Sequence, residues 1–250
     1  MINLTSPWPL GLNRRNWPAY AAGFVVVLVL LLFIDHPVSL LVTKQSPDVI
    51  DFANKVTRWG KSDWILIPSV LLLLLTAIVA RLGRKRIPKL ALLEMVEMLA
   101  LIFVGVGLPS LASTILKDVI GRGRPVVYDQ VGTLGFHPLS FNYGFESWPS
   151  GHTTTAFALA TVIGFLSPKW FGIALLYAIA IAGSRLVLGA HYPTDVFSGC
   201  VLGVLGAYAV RNYFASRRWG FRRLPDGRIE QRPVVAIVRL TERFQRKPAR

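Results

Sequence analysis

Between Ser184 and Asp195 the chain reads SRLVLGAHYPTD, and three of these side chains suit work on a phosphate group. Arg185 presents a planar fork of donors that matches phosphate oxygens. His191 follows six residues later and Asp195 four after that. A carboxylate bonded to one ring nitrogen fixes the tautomer and leaves the other nitrogen free to attack, as a nucleophilic histidine requires. The same residues also fit an ordinary helix end, with a snorkelling arginine, a solvated histidine and an aspartate opening the next helix. Two further segments bear on the choice: Lys117–Pro125, KDVIGRGRP, and Pro149–His152, PSGH. Lys117, Arg124 and Arg185 supply three cations for a group whose transition state spreads charge over its oxygens. Ser150 and Gly151 precede a helix, where backbone N–H groups and the helix dipole favour an anion. His152 is a candidate general acid for a leaving alkoxide. Singly, each has a plain structural alternative: interfacial anchors, a helix entry, a cap. Their joint spacing favours a site.

Such residues need elements to hold them, and composition indicates which. Apolar residues make up 53% of the 250-residue chain, and the mean hydropathy is +0.49. They lie in blocks near the ~20 residues that a spanning helix requires. Six blocks stand out, at 20–34, 64–80, 90–116, 152–166, 170–188 and 193–214. The first is read as an uncleaved membrane helix ending before Asp35-His36-Pro37, because no small-residue cleavage site follows it. His36 is then an interfacial residue without a chemical role. Within 38–63, Asp48, Asp51 and Lys55 alternate with Val49, Ile50, Phe52 and Val56, the pattern of a short helix on the membrane surface. Trp59 and Trp64 would lie at headgroup level. Residues 117–149 form a long loop rich in Gly and Pro, a length that is usually functional when ordered.

The predicted fold class is all-α: an integral membrane bundle of six transmembrane helices, with a short interfacial helix and an extracytoplasmic active-site loop. Three parts are expected: a cytoplasmic N-terminal segment at 1–19, the transmembrane unit at 20–214 and a basic cytoplasmic tail at 215–250. Within the tail, Val234–Leu240 suits a short strand or one face of a helix. Six crossings put both termini on one side. Arg14, Arg15, the cluster Arg81, Arg84, Lys85, Arg86 and Lys89, Lys169 and the tail then share that side, which the positive-inside rule makes cytoplasmic. The formal charge of +15 therefore reads as membrane orientation, and no nucleic-acid-binding motif accompanies it. Lys117, His152, Arg185 and Asp195 fall near helix ends on the opposite face, since each residue advances a helix by about 1.5 Å. The single cysteine, Cys200, excludes an internal disulfide and a cysteine-rich metal site.

On Lys117 with Arg124-Pro125, Pro149–His152, and Ser184-Arg185 with His191 and Asp195, the chain resembles the type 2 phosphatidic-acid phosphatase superfamily. All three motifs match without substitution across 117–195, and the helix layout extends the likeness to 20–214. The resemblance implies a phosphohistidine on His191, with Asp195 as orienting partner and His152 as general acid. It implies that Lys117, Arg124, Ser150, Gly151 and Arg185 bind the phosphate, and that neither metal nor other cofactor is needed. The expected protein is a membrane lipid-phosphate phosphatase that hydrolyses a phosphomonoester or diphosphate of an amphiphilic lipid. Its partners are that lipid and the bilayer, with no nucleic acid. Its expected place is a bacterial inner membrane, with the active site facing the periplasm. Phosphatidate, phosphatidylglycerol phosphate, a polyprenyl diphosphate and the phosphate of lipid A all remain open as substrates.

A lipid phosphotransferase using the same intermediate is the nearest alternative. A non-catalytic lipid-binding or transport protein is another, though it has no need of His191 or His152. Arg122 reads as a solvated loop charge in preference to a contact with a second phosphate. His137 belongs to an aromatic loop with Phe136, Phe141, Tyr143 and Phe145. Glu94 and Glu97 read as acids near a helix N-terminus, in preference to a functional intramembrane pair.

Overall fold

The computed structural model describes residues 3–42, 44–83 and 85–238. Its helices are α1 (Trp17–Val42), α2 (Pro47–Arg58), α3 (Asp63–Leu82), α4 (Arg86–Ile120), the short α5 (Tyr128–Val131), α6 (Gly151–Leu166), α7 (Phe171–Val187) and α8 (Pro193–Ser216). An antiparallel ribbon follows, β1 (Phe221–Arg223) with β2 (Ile229–Gln231). The fold is the predicted helical membrane bundle, and the ribbon is an addition to it. Trp17–Val42, Pro47–Leu82, Pro88–Ile120, Pro168–Val187 and Pro193–Ser216 are long and apolar enough to cross a bilayer. Gly151–Leu166 is a shorter apolar helix.

Several boundaries follow from single residues. Pro47 and Pro193 open α2 and α8, where the missing N–H costs nothing. Gly121 closes α4 at φ +61° and donates its N–H to the Lys117 carbonyl at 2.8 Å. A Cβ there would strike the His137 carbonyl, so both the left-handed turn and the close approach require glycine. The first helix is longer than predicted. It runs through Asp35 and Pro37 to Val42. A proline inside an apolar span is tolerated when neighbouring groups satisfy the freed backbone.

The innermost helix is α6, which packs against α4, α7 and α8 and buries most of its residues. Small residues on α8 permit this approach. A Cβ on Gly199 would lie 2.6 Å from the Ser150 carbonyl, and one on Gly203 would strike that of Thr154. One apolar cluster joins α4, α6, α8 and the ribbon through Leu101, Val106, Val162, Phe165, Tyr208, Phe221 and Ile229. By contrast, α1 and α3 expose Val26, Phe33, Leu71 and Leu75, as helices facing lipid do.

The N-terminal segment and the end of α8 meet at one end of the bundle. Arg211 is fully buried and donates to the carbonyls of Leu4, Ser6 and Pro7. The Ile229 N–H reaches the Thr5 carbonyl at 2.7 Å. Glu97 accepts from the Gly220 N–H at 2.8 Å, and Glu94 from the N–H groups of Ala236 and Ile237 at 3.1 and 3.0 Å. Both glutamates thus anchor the segment after α8, a role their place near a helix start did not suggest. Residues 235–238 form a helical turn; positions 239 and 240 of the ambiguous stretch lie outside the described residues, as does Arg84.

Candidate active site

At the opposite end, the last turns of α4 and α7 meet the first turns of α6 and α8. His191 occupies the turn between α7 and α8 and is only 3% exposed. Its Nδ1 lies 2.8 Å from the Ser147 carbonyl, so this nitrogen carries the proton and Nε2 keeps a lone pair. Asp195 Oδ2 stands 3.8 Å from the same Nδ1. The ring is therefore held by a backbone carbonyl with the carboxylate close behind, which differs from the direct bond to Asp195 expected from the motif. The carboxylate is engaged elsewhere: Oδ2 accepts from Ser147 Oγ at 2.6 Å and the Tyr192 N–H at 2.8 Å, and Oδ1 accepts from Arg122. Burial is the main influence on His191. Together with the charges of Arg124 and Lys117 it outweighs Asp195 and pushes the imidazole pKa down to about 3. The ring is neutral near pH 7.

Lys117 lies against the start of α6: a Cβ on Gly151 would sit 3.4 Å from its Nζ. Ser150 is fully buried, accepts from Thr153 Oγ1 at 3.0 Å, and spends its N–H on the Asp195 carbonyl at 3.0 Å. That N–H is not free for an anion, contrary to what the helix start alone suggests. Arg124 donates to the Ala190 carbonyl at 3.3 Å, with its guanidinium 3.9 Å from the centre of the Tyr143 ring. Arg185 donates to Thr57 Oγ1 at 2.7 Å, which ties α7 to α2. The Nε–H groups of Arg124 and Arg185 are buried without a hydrogen-bond partner, as is that of Arg211 at the far end. A Cβ on Gly60 would lie 3.0 Å from His152 Cδ2, so the turn after α2 packs against His152. The charged and titratable groups acting on His152 are Arg185, His191, Lys117 and Arg124. His191, His152, Asp195, Lys117, Arg124, Ser150, Gly151 and Arg185 thus share one cluster.

Arg122 is not a solvated loop charge. It is 3% exposed and bridges two carboxylates that are themselves fully buried. Its Nη1 donates to Asp195 Oδ1 and Thr194 Oγ1; its Nη2 donates to Asp35 Oδ2 at 2.7 Å and to the Thr133 carbonyl at 3.0 Å. Burial acts against the Arg122 charge, but Asp195 and Asp35 outweigh it and raise the guanidinium pKa. Asp35 also accepts from the Thr194 N–H at 3.0 Å and from Thr194 Oγ1 at 2.7 Å, at the start of α8. Sequence reasoning missed Asp35, Ser147 and Thr194. The available signal was a lone acid beside an apolar run, because such an acid needs a partner. His36 stacks on Tyr128 with ring centres 3.9 Å apart, and His137 packs on Phe145 at 4.3 Å, while Phe141 and Tyr143 stay exposed. Among the described residues, no group of three or more His, Cys, Asp or Glu side chains is placed to hold a metal ion.

Comparison with known proteins adds to this geometry. The PAP2 superfamily model matches residues 95–219. A lipid A 1-phosphatase of Rhizobium johnstonii is 32% identical over 220 residues, covering 87% of this chain and 89% of that protein. A lipid A 1-phosphatase of Rhizobium etli is 32% identical over 204 residues, covering 81% and 86%. Among solved structures, the transmembrane PAP2-type phosphatidylglycerolphosphate phosphatase of Bacillus subtilis is similar at a TM-score of 0.51 and 23% identity, covering 77% of this chain and 94% of that one. That last likeness concerns the fold alone.

Proposed function

The chain belongs to the PAP2 superfamily, and on that premise we infer that it removes a terminal phosphate from a membrane lipid through a phosphohistidine on His191. The observation that carries this reading is a neutral, buried imidazole whose Nε2 keeps its lone pair, beside two arginines with unpaired buried N–H groups. Unpaired buried donors are rare in folded proteins, and a phosphate oxygen satisfies them.

His191 Nε2 attacks phosphorus in line, forming the N–P bond as the bond to the lipid oxygen breaks. Lys117, Arg124 and Arg185 hold the equatorial oxygens, with Ser150 Oγ and the Gly151 backbone at the helix start. The arriving phosphate favours the protonated form of His152. His152 gives that proton to the leaving oxygen, then takes one from the water that cleaves the phosphohistidine. Ser147 keeps the proton on Nδ1, and Asp195 faces the ring as it becomes cationic. No step draws on a metal or an organic cofactor.

The bundle crosses the membrane six times, with α2 at the surface. The end holding Arg211, the N-terminal segment and the basic tail faces the cytoplasm, as the positive-inside rule directs. The site opens on the periplasmic face of a bacterial inner membrane. Residues 20–214 form the catalytic unit, flanked by the 1–19 segment and the 215–250 tail. The substrate we favour is the 1-phosphate of lipid A, because the two Rhizobium relatives named for it align over most of their length.

The test is phosphate release from lipid A, phosphatidate, phosphatidylglycerol phosphate and a polyprenyl diphosphate in detergent. Lipid A 1-phosphate should turn over fastest, and 18O from labelled water should appear in the released phosphate. His191→Ala should abolish turnover, at least 10³-fold on the scale of lost catalytic nucleophiles, while still purifying as a folded protein. Near-normal turnover in that variant would remove the mechanism, and label appearing in no phosphate would favour the transferase.

A further inference from the structure

Asp35 belongs to α1, outside the residues matched to the family and far from the motif residues in sequence. Yet it is fully buried and shares Arg122 with Asp195. The three charges can be counted. Arg122 and Asp195 alone would form a neutral pair, and the guanidinium would absorb the carboxylate's field. With Asp35 in place the group Asp35–Arg122–Asp195 carries one net negative charge, and it lies behind His191. Other charged or titratable groups whose fields reach the ring are Arg124, Lys117 and His152, and the two cations oppose a positive imidazole. A ring that becomes cationic when its Nε2 bonds to phosphorus needs a compensating charge in a buried place.

Resting on the phosphohistidine reading, we propose that Asp35 is a positioning residue for the reaction: it pairs with Arg122 so that the charge of Asp195 stays available to His191. It also fixes where that charge sits. Asp35 accepts from the backbone and hydroxyl of Thr194, the residue before Asp195, and so holds the first turn of α8 in register with the loop after α4. The first helix thereby completes a site whose reacting groups all lie on later elements.

The experiment is a charge cycle on the 250-residue chain in detergent. Asp35→Asn keeps the shape and an acceptor oxygen but deletes the charge. It should lower kcat about 30- to 100-fold with KM within threefold of wild type, since no substrate contact is lost. Arg122→Gln in the same chain removes the cation that Asp35 balances. The double variant D35N/R122Q should recover at least tenfold in kcat over D35N. A purely structural role for Asp35 predicts the reverse, because the double variant loses more of the network. Turnover of D35N within threefold of wild type overturns the proposal, as does a double variant no better than D35N. Should D35N fail to fold, D35N/R122Q is compared with R122Q: kcat values within threefold support the proposal, and a further tenfold loss refutes it. Wild-type turnover and its loss in H191A test the underlying reading separately. An active wild type, an inactive H191A and an unaffected D35N would sink this proposal and leave that reading standing.

Discussion

His191 shows what burial does to a single side chain. Its pKa stands near 3 in the folded protein against an ordinary 6.5. Between those values the unfolded chain binds more protons than the native one, so stability rises with pH in that window. The contribution of His191 is fully present above pH 6.5 and is lost as pH falls towards 3, at up to about 1.4 kcal/mol per pH unit. We therefore expect the melting temperature in detergent to fall between pH 6.5 and pH 4.5, and to fall less steeply in His191→Gln. Parallel curves for the two proteins would show that the ring is not the proton-linked group. Sequence spacing was enough to single out His191, Asp195 and the cations, because they stand in three short motifs at the borders of apolar runs. It could not reveal that Ser147 holds the ring, since a backbone carbonyl leaves no mark on residue type. It separated Arg124 from Arg122 by the motif, but it could not find the partner of Arg122, because Asp35 lies 87 residues away in the chain.

Among the elements, the pairing of α6 with α8 sets the distance between His152 and the start of α8. The approach depends on Gly199 and Gly203, where any Cβ meets the backbone of α6. Gly203→Val should push the helices apart, at a cost of roughly 1–3 kcal/mol for overpacking and more if the backbone cannot shift. Thermal unfolding would register the lower stability, and turnover should fall with it because His152 and Asp195 ride on the two helices. A variant of undiminished stability and activity would mean that the contact is slack. The helices themselves were legible from apolar run length, often within a few residues of their ends. The exception was α1, where Asp-His-Pro looks like a stop. It is not one, because Arg122 and Thr194 supply the partners that keep Asp35 inside. The ribbon at 221–231 was not legible at all; its strands are three residues long, too short for any alternation to stand out.

On the scale of the whole molecule, the two ends of the bundle differ in kind. One gathers the segment at Leu4–Pro7 and the residues after α8 up to Ile237 around Arg211, Glu94 and Glu97; the other gathers the candidate site. Their opposition predicts labelling from opposite faces. A cysteine placed at exposed Leu139 should react with a membrane-impermeant maleimide in intact spheroplasts, while one at exposed Arg222 should react only after lysis. Reaction of both from outside would invert or abolish the topology. The reach of Asp35 across the structure carries a consequence for biosynthesis. The ribosome delivers α1 long before it delivers Arg122, so the nascent helix presents a carboxylate to the translocon with its future cation still unmade. An acid in a spanning segment costs up to ~3 kcal/mol at the centre of the bilayer and less near its edge. Glycosylation-mapped insertion of a chain truncated before residue 122 should therefore improve when Asp35 is replaced by Leu, and the advantage should vanish once the chain extends past α8. Maturation of the enzyme would then wait on α8, an order of assembly written into one buried side chain.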